Sequence, residues 1–170
     1  YCKVALDPES LRYILANIGR VDDTLLRLQL SASLWNMVRD QQLASLDYLA
    51  LVRSAAPAER HPELAETITA NALAAISRYV PEPRIEAEAH SFFETAKSAL
   101  ESVPAGDLKK IWARALIGAA AVPDDVAYLT ALADGTAAIP GVELDQEMRW
   151  SIAVKASAYA LPGAAERVAA

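Results

Sequence analysis

The sequence predicts an all-α fold, built as a superhelix of antiparallel helical hairpins of the HEAT or armadillo kind with about eight helices. Three observations carry this. Alanine is the commonest residue in a chain of 170 residues, while aromatic residues make up only 6%; alanine is the best helix former, and strands favour aromatic and β-branched residues. Apolar residues recur at the three- and four-residue spacing of one helix face in segment after segment, and no segment from Pro8 onward alternates as a strand would. Alternate helices open near residues 22, 62, 107 and 145. That is a period of roughly 40 residues, the size of a helical hairpin repeat.

The elements follow in order. Leu11, Ile14, Leu15 and Ile18 form one helix face, entered through Asp7 as cap and Pro8 at the first helical position, and closed by Gly19. A second helix runs from about Asp22 to Arg39 with Leu26, Leu30, Leu34 and Met37 as its stripe. A third spans about Ser45 to Ala55. His61-Pro62-Glu63 opens a fourth, with Leu64, Ile68, Ala72 and Ile76, and Pro81 and Pro83 end it. A fifth runs from about Ile85 to Val103 and carries Phe92, Phe93, Ala96 and Leu100. After the break at Pro104-Ala105-Gly106, Leu108, Ile111, Trp112, Ala115, Leu116 and Ala119 give a sixth. Pro123 starts a short seventh with Val126, Leu129 and Ala133. A loop with Pro140-Gly141 as its turn leads to Asp145, which caps an eighth helix with Met148, Ile152, Ala156 and Tyr159. Pro162-Gly163 introduces a short terminal stub. Short connections favour antiparallel neighbours, stacked as hairpins; a closed bundle is the alternative.

Charge and composition restrict the partners. With 16 Lys+Arg against 22 Asp+Glu the net charge is −6, and no basic stripe of the kind that grips a phosphate backbone is present, so no nucleic acid is expected. The apolar run Ala115 to Val122 is far shorter than the ~20 residues a bilayer span takes, and no membrane partner is expected. A single cysteine, Cys2, fits a reducing compartment and a cytoplasmic location. The chain starts at Tyr1 and not at Met, which suggests a piece of a longer protein.

No catalytic constellation is visible. His61 and His90 are the only histidines, and neither has a second histidine one helical turn away to make a zinc pair. With one Cys and two His, a Cys/His zinc site is not expected, and the cofactor and metal expectation for this segment is none. His61 reads as a helix-start residue and His90 as a helix-face residue. Asp22-Asp23 and Asp124-Asp125 stand at helix starts, where they complement the helix dipole and cap free amides. Glu86-Glu88 and Glu59-Glu63-Glu66 read as solvated helix faces, and Trp35, Trp112 and Trp150 as packing residues.

Several motifs carry a resemblance. Leu34-Trp35-Asn36-Met37-Val38-Arg39-Asp40 resembles the Leu-Trp-x-Met-x-Arg-Asp helix of the C-terminal helical domain of bacterial aminopeptidase N, above all its actinobacterial type. Leu132-Ala133-Asp134-Gly135, then Pro140-Gly141, Asp145 and Met148-Arg149-Trp150, resemble the same domain's later pattern in the same order. Asn36 departs from it, where Asp is common. Tyr1 to Asp7 resembles the family's last strand before the helical domain, so residues 1–7 are expected to be a strand remnant and 8–170 the helical domain.

The resemblance implies a parent zinc metallo-aminopeptidase that removes N-terminal amino acids from peptides. Its zinc and catalytic motifs lie upstream, none has a counterpart here, and this segment is expected to be inactive alone. It implies upstream catalytic and β-sandwich domains as partners in the same chain, and a non-catalytic role here: enclosing the active-site chamber and contacting the distal part of a peptide substrate. Arg149 and Trp150 are the candidate substrate contacts, because a guanidinium grips a carboxylate or carbonyls with paired hydrogen bonds and an indole packs on peptide side chains. A stand-alone helical scaffold for protein–protein binding is the alternative, since concave solenoid surfaces serve both uses.

Overall fold

A computed structural model describes residues 3–160; Tyr1, Cys2 and the stub at Pro162-Gly163 lie outside the described residues. The described residues hold eight α-helices and no strand. They are α1 (Pro8–Asn17), α2 (Thr24–Arg39), α3 (Ser45–Ala55), α4 (Pro62–Arg78), α5 (Glu82–Ser102), α6 (Asp107–Ala119), α7 (Pro123–Ala133) and α8 (Gln146–Ala158). Short 3-10 turns follow α1 and α3, at Ile18–Arg20 and Ala56–Ala58. Residues 3–7 precede α1 without regular structure. The chain divides into two compact units, Tyr1–Glu88 and Ala89–Ala170.

The caps are where the sequence placed them. Asp7 accepts the amides of Glu9 and Ser10, Asp23 that of Leu26, and Asp145 that of Met148, each satisfying donors that a helix start leaves free. Pro83 behaves differently from expectation. It lies inside the first turn of α5, which begins at Glu82. A proline there loses no helical hydrogen bond, so it starts this helix as well as following the end of the previous one.

Two helix ends share one geometry. After α7, Gly135 (φ 75°) lets the Gly135 amide reach the Leu132 carbonyl and the Thr136 amide reach that of Ala131. After α2, the amides of Gln41 and Gln42 reach the carbonyls of Val38 and Met37 in the same way. There Gln41 takes the left-handed conformation, at φ 60°, where glycine is the usual residue.

In the first unit α3 packs on α4, α2 on both, and α1 on α3. Leu34, Tyr48, Leu49, Leu64, Ala65, Ala72 and Ala75 are buried there. Trp35 packs against Tyr48 and, edge-on, against Tyr79, with centroids 5.9 and 5.7 Å away. The predicted stripe of α2 holds only at its C-terminal half. Leu34 and Met37 are buried, but Leu26 is exposed, along with Leu25 and Leu28. The inward face of the first half carries Thr24, Arg27 and Ser31 instead, with Leu30 half-buried.

Arg27 explains the discrepancy. Its Nε and Nη2 donate to the two carboxylate oxygens of Glu59 at 2.9 and 3.1 Å, and Nη1 donates to the carbonyls of Val21 and Asp22. Glu59 also accepts the backbone amides of Arg60 and His61. Glu59 is therefore buried and not part of a solvated face. Glu88 is likewise buried, between Arg53 at 2.7 Å and Arg84 at 2.9 Å. Glu63, Glu66 and Glu86 are exposed as expected, so the reading is corrected at Glu59 and Glu88 alone: buried carboxylates persist only with such partners. The pocket beside the Arg27–Glu59 pair, also lined by Leu34, Tyr48 and Leu64, has a volume of about 40 Å³, which admits water but no organic ligand.

In the second unit α8 packs on α7 and on α6. Phe92, Phe93, Trp112, Leu116, Val126, Leu129, Met148 and Ile152 fill its core. Phe92 and Trp112 lie 6.3 Å apart, and Phe93 meets Tyr128 edge-on. The Trp112 indole N–H is buried without a hydrogen-bond partner among the described residues, a cost of about 1–3 kcal/mol that the ring's apolar burial must exceed.

The Arg27–Glu59 pair sets a prediction with a definite sign. Burial pushes the Glu59 carboxyl up, but the Arg27 bonds and the amides of His61 and Arg60 outweigh it and hold the group below the ordinary value of 4.5. The folded state therefore binds this proton less readily than the unfolded state. Its contribution is complete above pH 4.5 and is lost as the pH falls through the folded value. Arg27→Ala leaves the carboxylate buried and half-paired and costs about 3 kcal/mol at pH 7. Urea unfolding of wild type and variant from pH 7 to pH 3 should show that difference shrinking toward acid; a constant difference would contradict the assignment.

Candidate functional site

The polar cluster of the second unit is built around Asp125. The α6–α7 connection ends in Pro123, and Pro123-Asp124-Asp125 forms the first turn of α7. From there Asp125 turns its carboxylate back onto the connection, where Oδ2 accepts the Ala121 amide at 3.2 Å. Oδ1 lies 2.8 Å from Nδ1 of His90 on α5. The Asp125 side chain is 2% exposed, against 46% for His90. Asp124-Asp125 thus stands at a helix start as expected, but neither side chain caps an amide of α7; Asp125 instead ties α7 to α5.

The same connection is held from α8. Lys155 donates to the carbonyls of Gly118 and Ala120 at 3.1 and 2.7 Å, and the Tyr159 hydroxyl donates to that of Ala121. These are carbonyls that the end of α6 leaves without helical partners. Burial pushes the Lys155 ammonium below its ordinary value, and the charge of Asp125 opposes that shift.

The expectation that this segment holds no metal-ligand set is corrected here. His90, Glu94 and Asp125 each offer a ligand atom, and these atoms all lie within 4.8 Å of one another. His90 and Glu94 are four residues apart on α5 and so share a face; Asp125 arrives from α7. A search for a second histidine one turn away misses a His-x-x-x-Glu spacing, and no local pattern announces the third member 35 residues on. The signal that was available is the one-turn pairing of His90 with a carboxylate.

The predicted substrate contacts lie on α8. Arg149 is exposed, and its guanidinium is turned toward the protein: Nε donates to Leu144 at 3.3 Å and Nη1 to Ala133 at 3.2 Å, both backbone carbonyls. It thereby joins the end of α7 to the loop before α8. Trp150 is 55% exposed, which corrects its reading as a packing residue; Trp112 is fully buried and Trp35 half-buried, as expected. Trp150 lines a groove of about 470 Å³ with Arg114, Ile117, Glu147, Val154 and Lys155. Arg114 pairs with Asp145, the α8 cap, at 3.2 Å. The structure does not bring Arg149 and Trp150 to the His90 cluster in any contact. Among the described residues no helix is long and apolar enough to cross a membrane.

An all-α domain whose polar residues mainly cap and pair helices is the class that fold and site define. Residues 1–169 match the family described as the ERAP1-like C-terminal domain, and the chain belongs to that family. It is 34% identical over 167 residues, 98% of its length, to an aminopeptidase N of Streptomyces lividans. The chain spans only 20% of the length of that relative.

Removing the Asp125 side chain separates its role from that of its partner. Asp125→Ala leaves the Ala121 amide of the α6–α7 connection without its acceptor, and His90 without its partner, and should cost about 2–3 kcal/mol in urea unfolding. His90→Ala, at a half-exposed ring, should cost less than about 1 kcal/mol. Equal losses would mean that the His90 bond, and not the connection, is what Asp125 supplies.

Proposed function

We propose that this chain is the non-catalytic helical domain of a cytoplasmic zinc aminopeptidase, which encloses the active-site chamber and contacts the distal part of peptide substrates. The observation that carries the reading is the alignment with aminopeptidase N along 98% of the chain. In this reading the zinc and the reacting groups belong to catalytic and β-sandwich domains upstream, and residues 1–7 are the end of the preceding domain. The helices from residue 8 form a HEAT-like superhelix of antiparallel hairpins. A curved wall of this kind excludes folded proteins and bulk water from a reaction chamber, and it offers surface remote from the scissile bond, where binding energy positions the substrate.

The substrate surface in this reading is Arg149 and Trp150 on α8. Trp150 supports it by its exposure beside a groove that carries Arg114, Glu147 and Lys155. An indole there gains contact area on peptide side chains at low entropy cost. Arg149 commits Nε and Nη1 to carbonyls of its own chain. The remaining donors of the guanidinium are the ones that would meet peptide carbonyls or a terminal carboxylate.

The test belongs in the full-length enzyme. Trp150→Ala and Arg149→Ala should each lower kcat/KM for long peptides, by about tenfold for a loss of ~1.4 kcal/mol, and leave single aminoacyl reporters unchanged. Unchanged rates on long peptides would remove α8 from the substrate path. Equal losses on both substrates would assign these residues to the fold.

A further inference from the structure

The geometry points to a divalent metal site at His90, Glu94 and Asp125, taking a first-row transition ion of the zinc type and clipping α5 to α7. This site is independent of the zinc chemistry assigned above to upstream domains.

Three features of the cluster support it. The donors come from two helices, and two of them repeat at one helical turn, so one face of α5 supplies a bidentate edge and α7 closes it. Asp125 is buried and pre-oriented: the Ala121 amide holds Oδ2, which leaves Oδ1 aimed at His90. An outer hydrogen bond of this kind fixes a metal-ligating carboxylate before the ion arrives. His90 and Glu94 are about half exposed, so an ion has an entry path and water can complete its coordination. One imidazole nitrogen with two carboxylates suits zinc or cobalt, whereas calcium and magnesium take oxygen ligands.

The distances are within reach. Zinc bonds of about 2.0–2.1 Å place tetrahedral donors roughly 3.3 Å apart. The His90–Asp125 separation of 2.8 Å has to open slightly, and the exposed Glu94 side chain has to swing inward. The ion replaces the hydrogen between Nδ1 and Oδ1. That proton passes to Nε2 in the neutral ring, or to solvent from an imidazolium. Two cations stand nearby, and each also has a partner outside the donor set. Lys97 lies 3.9 Å from Glu94 but also over the Tyr128 ring, and Lys155 donates to the Gly118 and Ala120 carbonyls.

The experiment uses the 170-residue chain, freed of metal by a chelator and titrated with Zn²⁺ and Co²⁺. One equivalent of Zn²⁺ should bind with a Kd below about 100 µM, Co²⁺ should develop visible d–d absorption, and Zn²⁺ should raise the Tm. Glu94→Gln keeps the His90–Asp125 bond and should melt like wild type in chelator, while its Zn²⁺ affinity falls at least about tenfold. His61→Ala should bind as wild type does. Absence of uptake by wild type up to 1 mM Zn²⁺ (on the order of a bare surface carboxylate's affinity) would overturn the site. So would equal affinity in Glu94→Gln, or loss of binding in His61→Ala, which would place the ion elsewhere.

Discussion

Three carboxylates, Glu59, Glu88 and Asp125, are the acidic groups buried among the described residues, and the arrangement of the helices depends on satisfying them. A buried charge is tolerated only with partners in place. Each of these carboxylates finds at least one partner on another element. Glu59 follows a 3-10 turn and draws in Arg27 of α2. Glu88 on α5 takes Arg53 of α3. Asp125 on α7 takes His90 of α5 and the amide of Ala121. Apolar contact between alanine- and leucine-rich helices is nearly non-directional and admits several slips along the axis. A carboxylate that must meet one guanidinium or one amide admits a single register.

The same constraint fixes the α8 flank of the second unit. Asp125, Lys155 and Tyr159 all bind the short connection between α6 and α7, so the end of α6, the start of α7 and the flank of α8 are fixed together. Trp150 stands on that flank, five residues before Lys155, and the groove beside it is lined by Lys155 itself. The substrate role proposed for Trp150 needs such rigidity, because a yielding surface supplies little positioning. The half-exposed His90 and Glu94 lie on the other partner of Asp125, α5, where accessibility serves an exchangeable ion.

The helices were legible because their signals are local. Asp7, Asp23 and Asp145 cap where capping chemistry places them, and Gly135 ends α7 in the positive-φ conformation that glycine adopts most readily. The family motifs were legible as strings, and the structure gives several of their residues physical reasons: Leu34 and Met37 are core, Trp35 packs against Tyr48 and Tyr79, Arg149 holds two carbonyls. What was missed is non-local. Leu26 satisfies the helical period but is exposed, because Arg27 beside it has to face Glu59, 32 residues away. Glu88 looks like any helix-surface glutamate until Arg53 is placed next to it. Trp150 carries the residue type of a core and the environment of a surface. The His90 cluster combines both cases, with a readable His-to-Glu turn and an Asp125 that only the fold supplies.

If the buried carboxylates select the register, replacing one pair by apolar residues should preserve stability and lose uniqueness. Arg27→Met/Glu59→Leu tests this with a ¹H–¹⁵N correlation spectrum and urea unfolding on the same sample. The account predicts stability within about 1–2 kcal/mol of wild type, with doubled or broadened amide signals along α2 and around Ala56–Ala58. A single set of sharp signals matching wild type, at the same stability, would show that apolar packing alone fixes these helices and would contradict it.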